Sequence, residues 1–263
     1  MELVFKVVVQ VFAVYLIFYS LYWLISTMLG ICYSPGIDKG KSHPNPSILL
    51  ILPAYKPGNI FIRVVESIQQ AVQGRDIRVY ILLQEADPAF RTKLERFNYW
   101  IEEAKFSDLD GNSYHHALHH VVKRIGELQQ EDDWKPDYVM LVDKDNLLAE
   151  NFFENISETH YQKYDVIQAR RCSINAEGDV SFFDTVSESL NDTMFRSAKS
   201  LVNGTIEISG SGALIRTEIF KDAINRLDKD APGYDKNFMV QVLSGSRKVR
   251  TIFLPHVKLY EEK

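Results

Sequence analysis

Two carboxylates one residue apart, Asp143 and Asp145, close the run Asp137-Tyr-Val-Met-Leu-Val-Asp-Lys-Asp-Asn146. In an extended backbone, residues i and i+2 point to the same side. Paired oxygen ligands of this kind suit a hard divalent cation, which prefers carboxylates plus substrate phosphates. An acidic turn after any strand gives the same pattern, so the pair carries weight only through its surroundings. Three other groups could do chemistry. His115, His116, His119 and His120 form two i,i+4 pairs. At about 100° per residue they occupy an arc opposite Leu118, Val121, Val122 and Ile125. With no acid or cysteine close in sequence, that arc reads as a solvated face rather than a metal site. Gly210-Ser-Gly212 is a glycine turn that could let backbone approach a ligand closely. Asp235, in Gly233-Tyr-Asp-Lys-Asn-Phe238, starts a helical stretch. It reads either as a cap or as a base at the mouth of a sheet.

Several chemistries are excluded by spacing. The turn after the first strand, Pro53-Ala-Tyr-Lys-Pro-Gly58, has neither G-x-G-x-x-G nor a Walker lysine. Ser209-Gly-Ser-Gly212 fails the G-x-S-x-G spacing of a hydrolase nucleophile elbow.

Elements able to position these groups alternate. Ser47–Leu52 predicts a buried strand ended by Pro53, and Ile60 to Val72 a helix. Ile77–Leu83 predicts a second strand. A polar helical stretch over about Pro88–Lys105 follows, then a helix from Ser113 to Gln129 and the Asp137–Val142 strand. Strand–helix alternation argues for an α/β fold with a parallel sheet. In the second half, Tyr164–Arg170 predicts a strand, Phe182–Leu201 an amphipathic helix, and Val249–Leu254 a last strand closed by Pro255.

The 263 residues, 46% of them hydrophobic, suit one α/β domain plus a membrane segment. A net charge of -5 argues against nucleic acid as a partner. Two isolated cysteines, Cys32 and Cys172, build no disulfide framework and point to a reducing compartment. Val7 to Leu29 is uncharged and long enough to cross a bilayer core, which takes about 20 residues. We read residues 1–30 as a transmembrane helix, 31–46 as a Gly/Pro/Ser/Lys-rich linker, and 47–263 as the folded domain. Lys39 and Lys41 after the span place that domain in the cytoplasm, at the plasma (inner) membrane. On that topology the sequons at Asn155, Asn191 and Asn203 stay unmodified.

The ordered set ILLILPAY, LLQEAD, GNSYHHALHH, YVMLVDKDN, SGSGALIRTEIF and GYDKNFMVQVLSGSRKVRTIFLPHVKLYEEK resembles the membrane-bound inverting glycosyltransferases of family 2. That family includes cellulose-synthase-like and N-acetylglucosaminyl transferases. The resemblance covers nearly all of residues 47–263. It implies a GT-A-type, Rossmann-like fold, a nucleotide-diphosphate sugar donor (a UDP-sugar), and Mg2+ or Mn2+. It further implies that Pro53, Ala54 and Tyr55 form the base-binding turn, with Gln84 or Glu85 near the base. Asn112 and Lys144 fall on the donor side. Asp143 and Asp145 match the metal and diphosphate motif. Gly210, Ser211 and Gly212 resemble the acceptor-side turn, and Asp235 matches the general base.

Some positions depart from the family. Tyr234 replaces the usual acid before the base, Gln84-Glu85 the usual acidic pair, and histidines the usual lysine and asparagine after Gly111. No Q-x-x-R-W motif occurs before Lys263. The family often continues to that motif and to further membrane helices, so the chain is expected to be a fragment truncated at its C-terminus, and processive synthesis is not implied. The implied activity is hexosyl or N-acetylhexosaminyl transfer to a glycan or lipid-linked acceptor. The alternatives are a polyprenyl-phosphate sugar transferase and a non-catalytic nucleotide-sugar-binding scaffold.

Overall fold

The computed structural model describes residues 1–36, 46–106, 113–131, 133–174, 178–228, 233–245 and 247–261. Asn112 lies outside them. Asp235 is described by its backbone alone.

The described strands form one eight-stranded mixed sheet in the order β3-β2-β1-β4-β7-β6-β8-β5. In it β1 is Ile48–Tyr55, β2 Ile77–Gln84, β3 Trp100–Glu103 and β4 Tyr138–Leu141; these four run parallel. β5 is Asn146–Leu148, β6 Val166–Ser173, β7 Ala213–Arg216 and β8 Thr251–Glu261. β7 runs antiparallel to both its neighbours, β4 and β6. β6 and β8 are parallel, and β5 lies antiparallel on β8.

β1 is central, so its apolar run is covered on both faces, as expected for a parallel strand between helical layers. One layer contains α2 (Asn59–Ala71), which buries Phe61, Val64, Val65, Ile68 and Ala71, and α3 (Pro88–Leu94). The other contains α4 (Ser113–Glu131), α8 (Thr217–Arg226) and α9 (Tyr234–Leu243). Each fully buried aliphatic side chain in these layers contributes about 1.5–3 kcal/mol. A short α5 (Glu158–Lys163) precedes β6. α6 (Asp179–Leu190), a π-helical segment (Asn191–Ser197) and α7 (Ala198–Leu201) run on as one continuous helix.

Four expectations need correcting. The Pro88–Lys105 stretch is helical only at its start; Trp100–Glu103 turns into β3 beside β2. β1 runs through Pro53 to Tyr55. Its pairing with β4 stops at Ile51–Leu141, so Pro53 sits where only one neighbouring strand is paired. β8 likewise continues through Pro255. Leu254 pairs with Ala169 and Lys258 with Arg170, so the proline falls in an irregularity that needs no ladder donor. The histidine arc of α4 is not a solvated face. His115 is buried, His119 meets the Leu227 carbonyl at 3.1 Å, and His120 pairs with Glu102 at 2.6 Å. α4 is packed on two sides, against the sheet and against α8 and the segment after it.

α1 (Glu2–Cys32) is long and apolar enough to cross a membrane. Near its end Trp23 packs edge-on against Phe195 at 5.3 Å, and Ser26 and Gly30 are buried. Just beyond, the Tyr33 hydroxyl donates to the Phe253 carbonyl at 2.7 Å.

Candidate active site

The chain changes direction across the sheet at β1: β2 lies on one side and β4 on the other. Open α/β sheets bind ligands beyond the carboxyl ends of strands at such a switch. Tyr55 ends β1 there, and Asp143 and Asp145 follow β4.

The rim at the end of β1 is polar. Tyr55 is exposed and approaches Glu85 at 3.4 Å; Lys56 pairs with Glu85 at 3.2 Å and lies over the Tyr55 ring. Lys144 donates to the Tyr55 carbonyl at 3.3 Å, tying the acidic turn to the end of β1. Lys56 and Glu85 both have positive φ, 45° and 51°. Non-glycine residues in that region cluster at ligand sites. Pro53 and Ala54 are buried inside β1 and shape the rim from below. Gln84 is buried, so Glu85 is the member of that pair that faces the rim.

Asp143 is braced from two directions. Its backbone N–H donates to the Ser211 hydroxyl at 3.2 Å, and Gly212 N–H donates to the Leu141 carbonyl at 3.0 Å. The Gly210–Gly212 turn is thus laced to the exit of β4. Ser211 is fully buried in doing so. Gly212 has φ +73, and a Cβ there would lie 2.4 Å from Leu259 Cδ2, so both backbone and space require glycine. From the other side the Tyr114 hydroxyl donates to Asp143 Oδ1 at 3.3 Å. The Tyr114 ring meets Tyr234 at 4.7 Å, and Tyr234 stacks on Phe238 at 5.2 Å and contacts His115. An aromatic bridge therefore joins Asp143 to the first turn of α9, where Asp235 follows Tyr234. Burial, then the neighbouring His116, lowers the His115 pKa.

Asp145 is half-buried and accepts from Asn146 Nδ2 at 3.0 Å. Burial, then the negative charge of Glu261, raises its pKa. Asn146 is the register partner of Glu261, which brings that acid alongside. Glu261 in turn holds Arg171 at 2.7 Å. Arg170, Arg171, Glu188, Asp192 and Glu261 line a cavity of ≈ 220 Å3 beside this corner. A larger cavity, ≈ 440 Å3, lies at the opposite end of β4 around Asp137 and Arg216. It is remote from the acidic turn, and size alone does not make it the site.

Among the described residues no group of three or more His, Cys, Asp or Glu side chains surrounds a point where a metal could sit. Asp143 and Asp145 do not lie along an extended strand as the spacing suggested: they flank a turn closed by the Asn146 N–H on the Asp143 carbonyl at 3.1 Å, and it is the chemistry of two carboxylates that fits a cation sharing its coordination with a diphosphate. The raised Asp145 pKa fits as well, since a nearby positive charge would relieve that crowding of acids.

Tyr114, Arg171 and Glu261 escaped the reading of the sequence. No local pattern marks them, because each acts across a long separation in the chain.

The sequence profile described as "Glycosyltransferase like family 2" matches residues 44–263. No curated protein sequence matches the chain. Two of the solved structures similar in fold serve for comparison. PcManGT, a mannosyltransferase from Pyrobaculum calidifontis solved with GDP-Man and Mn2+, superposes with a TM-score of 0.62 at 15% identity, over 92% of this chain and 63% of that one. S. aureus TarS, as residues 1–349, gives a TM-score of 0.55 at 13% identity, over 82% of this chain and 60% of that one. The chain thus spans under two thirds of the length of either. The chain belongs to glycosyltransferase family 2, with a GT-A fold.

Proposed function

We propose that this chain moves a sugar, with inversion, from a nucleotide-diphosphate sugar to a hydroxyl of a glycan or lipid-linked acceptor at the cytoplasmic face of the plasma (inner) membrane. The observation that carries the proposal is the convergence on Asp143 of three separate segments: the end of β4, the Gly210–Gly212 turn, and the Tyr114–Tyr234 bridge to α9. Domain boundaries follow the same reading: a span over residues 1–30, a linker over 31–46, and the catalytic domain over 47–263.

In this reading Tyr55 and Glu85 receive the base, and Asn112 and Lys144 the rest of the donor. The base is uracil on the sequence resemblance, although the similar PcManGT is solved with a guanosine donor. Asp143 and Asp145 hold Mg2+ or Mn2+ with the diphosphate. When bound, the cation offsets the charge that gathers on the leaving group. Asp235 takes the proton from the acceptor hydroxyl. The freed oxygen bonds to the anomeric carbon as the bond to phosphate breaks, and nucleoside diphosphate departs. Gly210, Ser211 and Gly212 set the floor of the acceptor side by fixing the backbone under Asp143.

The charge beside Asp145 helps choose the acceptor. Two guanidinium groups and three carboxylates line that cavity, and Arg196 pairs with two of the three, so the corner holds no excess of positive charge. That favours a neutral hydroxyl over a polyprenyl phosphate, which would need uncompensated positive charge.

Asp235→Asn tests the mechanism. As base, Asp235 is needed for turnover, so the variant should keep its melting temperature and donor affinity but lose at least ~100-fold in transfer rate. Asp235 is the second residue of α9, after the Gly233 N-cap, so near-normal turnover would leave it only a first-turn acid favoured by the helix dipole. Absence of both transfer and donor hydrolysis in the unmutated protein would instead favour a scaffold.

A further inference from the structure

α6 is amphipathic in the inverted sense. Its inward residues are polar: Ser181, Thr185, Glu188 and, one turn on, Asp192. Its outward residues are Phe182, Phe183, Val186 and Leu190, between 39% and 69% exposed. At about 100° per residue these four fall within roughly a quarter to a third of the helix circumference. Beyond residue 32, every described large apolar side chain that is exposed lies between Ile174 and Val202, except Tyr55 and Val240. A soluble surface scatters such residues singly, whereas a contiguous stripe marks a partner or a membrane.

The position of α1 says which. Its end docks on the helix that continues α6: Trp23 meets Phe195, and Gly30 packs so closely on Thr193 that a Cβ there would lie 2.0 Å from the carbonyl oxygen. A hydrocarbon core takes about 20 residues of helix. Val7 to Tyr22 alone falls short of that, so the span needs the turns from Trp23 to Leu29, which make the Phe195 contact and bury Ser26. The π-helical segment must then lie at the boundary of the apolar layer, and the Phe182–Leu190 stripe is continuous with it in the same helix.

We infer that α6 lies in the membrane interface, with Phe182, Phe183, Val186 and Leu190 inserted among lipids. The inference rests on α1 being a membrane span. Amphipathic helices bind bilayers in this way, apolar face down in the headgroup–acyl boundary. The polar face of α6 lines the cavity beside Asp145. The same helix thereby separates lipid from the acceptor side of the site.

The test uses the full chain in phospholipid vesicles with Cys32→Ser and Cys172→Ala. Single cysteines Phe183→Cys, Val186→Cys, Leu16→Cys and Val240→Cys then carry an environment-sensitive fluorophore. Lipids bearing a nitroxide near the headgroup or deep in the chain serve as quenchers. Labels at 183 and 186 should lose fluorescence to the shallow nitroxide more than to the deep one. The label at 16 should be quenched by the deep nitroxide, and the one at 240 by neither. Quenching at 16 without quenching at 183 and 186 would overturn the inference while leaving the anchor intact. No quenching at 16, 183 or 186 would overturn both. Concentration-dependent self-quenching at 183, insensitive to nitroxide lipid, would assign the stripe to a second copy and also overturn it.

Discussion

The two halves of the sheet are built from different materials. The half containing β1 to β4 has an apolar interior and carries its polar groups on the rim, where Tyr55, Lys56 and Glu85 stand half in solvent. The half containing β6 and β8 buries charge. Arg196 pairs with Asp192 and Glu188, both at 2.6 Å, and also donates to the buried Ser209 hydroxyl. Apolar packing tolerates small changes in proportion to the volume lost. A buried ion network fails abruptly, because removing one member leaves another charge stranded. The half proposed to hold the donor is therefore a stable shelf for a rim that can vary, whereas the half proposed to face the acceptor is specified by ion pairs.

The largest effect should come from breaking that network. Arg196→Met removes the Glu188 partner and leaves Asp192 with Arg170 at 3.3 Å, and should cost about 3 kcal/mol in denaturant unfolding. A loss below about 1 kcal/mol would mean the pairs are no more than surface bridges. Gly212→Ala comes next. Its Cβ meets Leu259 and its φ is left-handed, so it should cost about 1–3 kcal/mol and weaken donor binding by shifting the brace on Asp143. Calorimetric unfolding and donor titration, read together, check both parts. Tyr114→Phe should be the mildest. It removes one neutral-to-charged hydrogen bond, so donor affinity should fall roughly 3–10-fold with little change in melting temperature. Unchanged affinity would detach the aromatic bridge from the site.

Much of the first half was legible in the sequence, and for a physical reason. Buried parallel strands are continuous apolar runs, so Ile48–Leu52, Ile77–Leu83 and Tyr138–Leu141 announce themselves. β3, with its two glutamates, and the three-residue β5 have no such run; pairing defines them. β8 was cut short at Pro255 because local rules cannot foresee an irregularity that spares the missing donor. The candidate site divides in the same way. Asp143, Asp145 and Tyr55 sit at strand ends that the pattern locates. Ser211 under Asp143, Tyr114 against Tyr234, and Glu261 beside Asp145 are meetings of distant segments. The histidine arc was misread because periodicity tells which residues share a face, not whether a second layer covers it.

On the proposed function, Asp143 and Asp145 bind the donor through a divalent cation. Asp145 gives the cleanest test, because its two roles oppose each other. Its folded pKa is raised, so its ionised form costs stability above that pKa, and the cost vanishes below the ordinary carboxylate value near ~3.9. At pH 7, Asp145→Asn should raise the melting temperature of the cation-free protein, with the gain fading as pH falls through the carboxylate range. Isothermal titration of a UDP-sugar, with and without Mn2+ or Mg2+, is the decisive measurement. Cation-dependent binding should be clear in the unmutated protein and lost in the stable Asn variant. Equal, cation-dependent binding by both proteins would contradict the account.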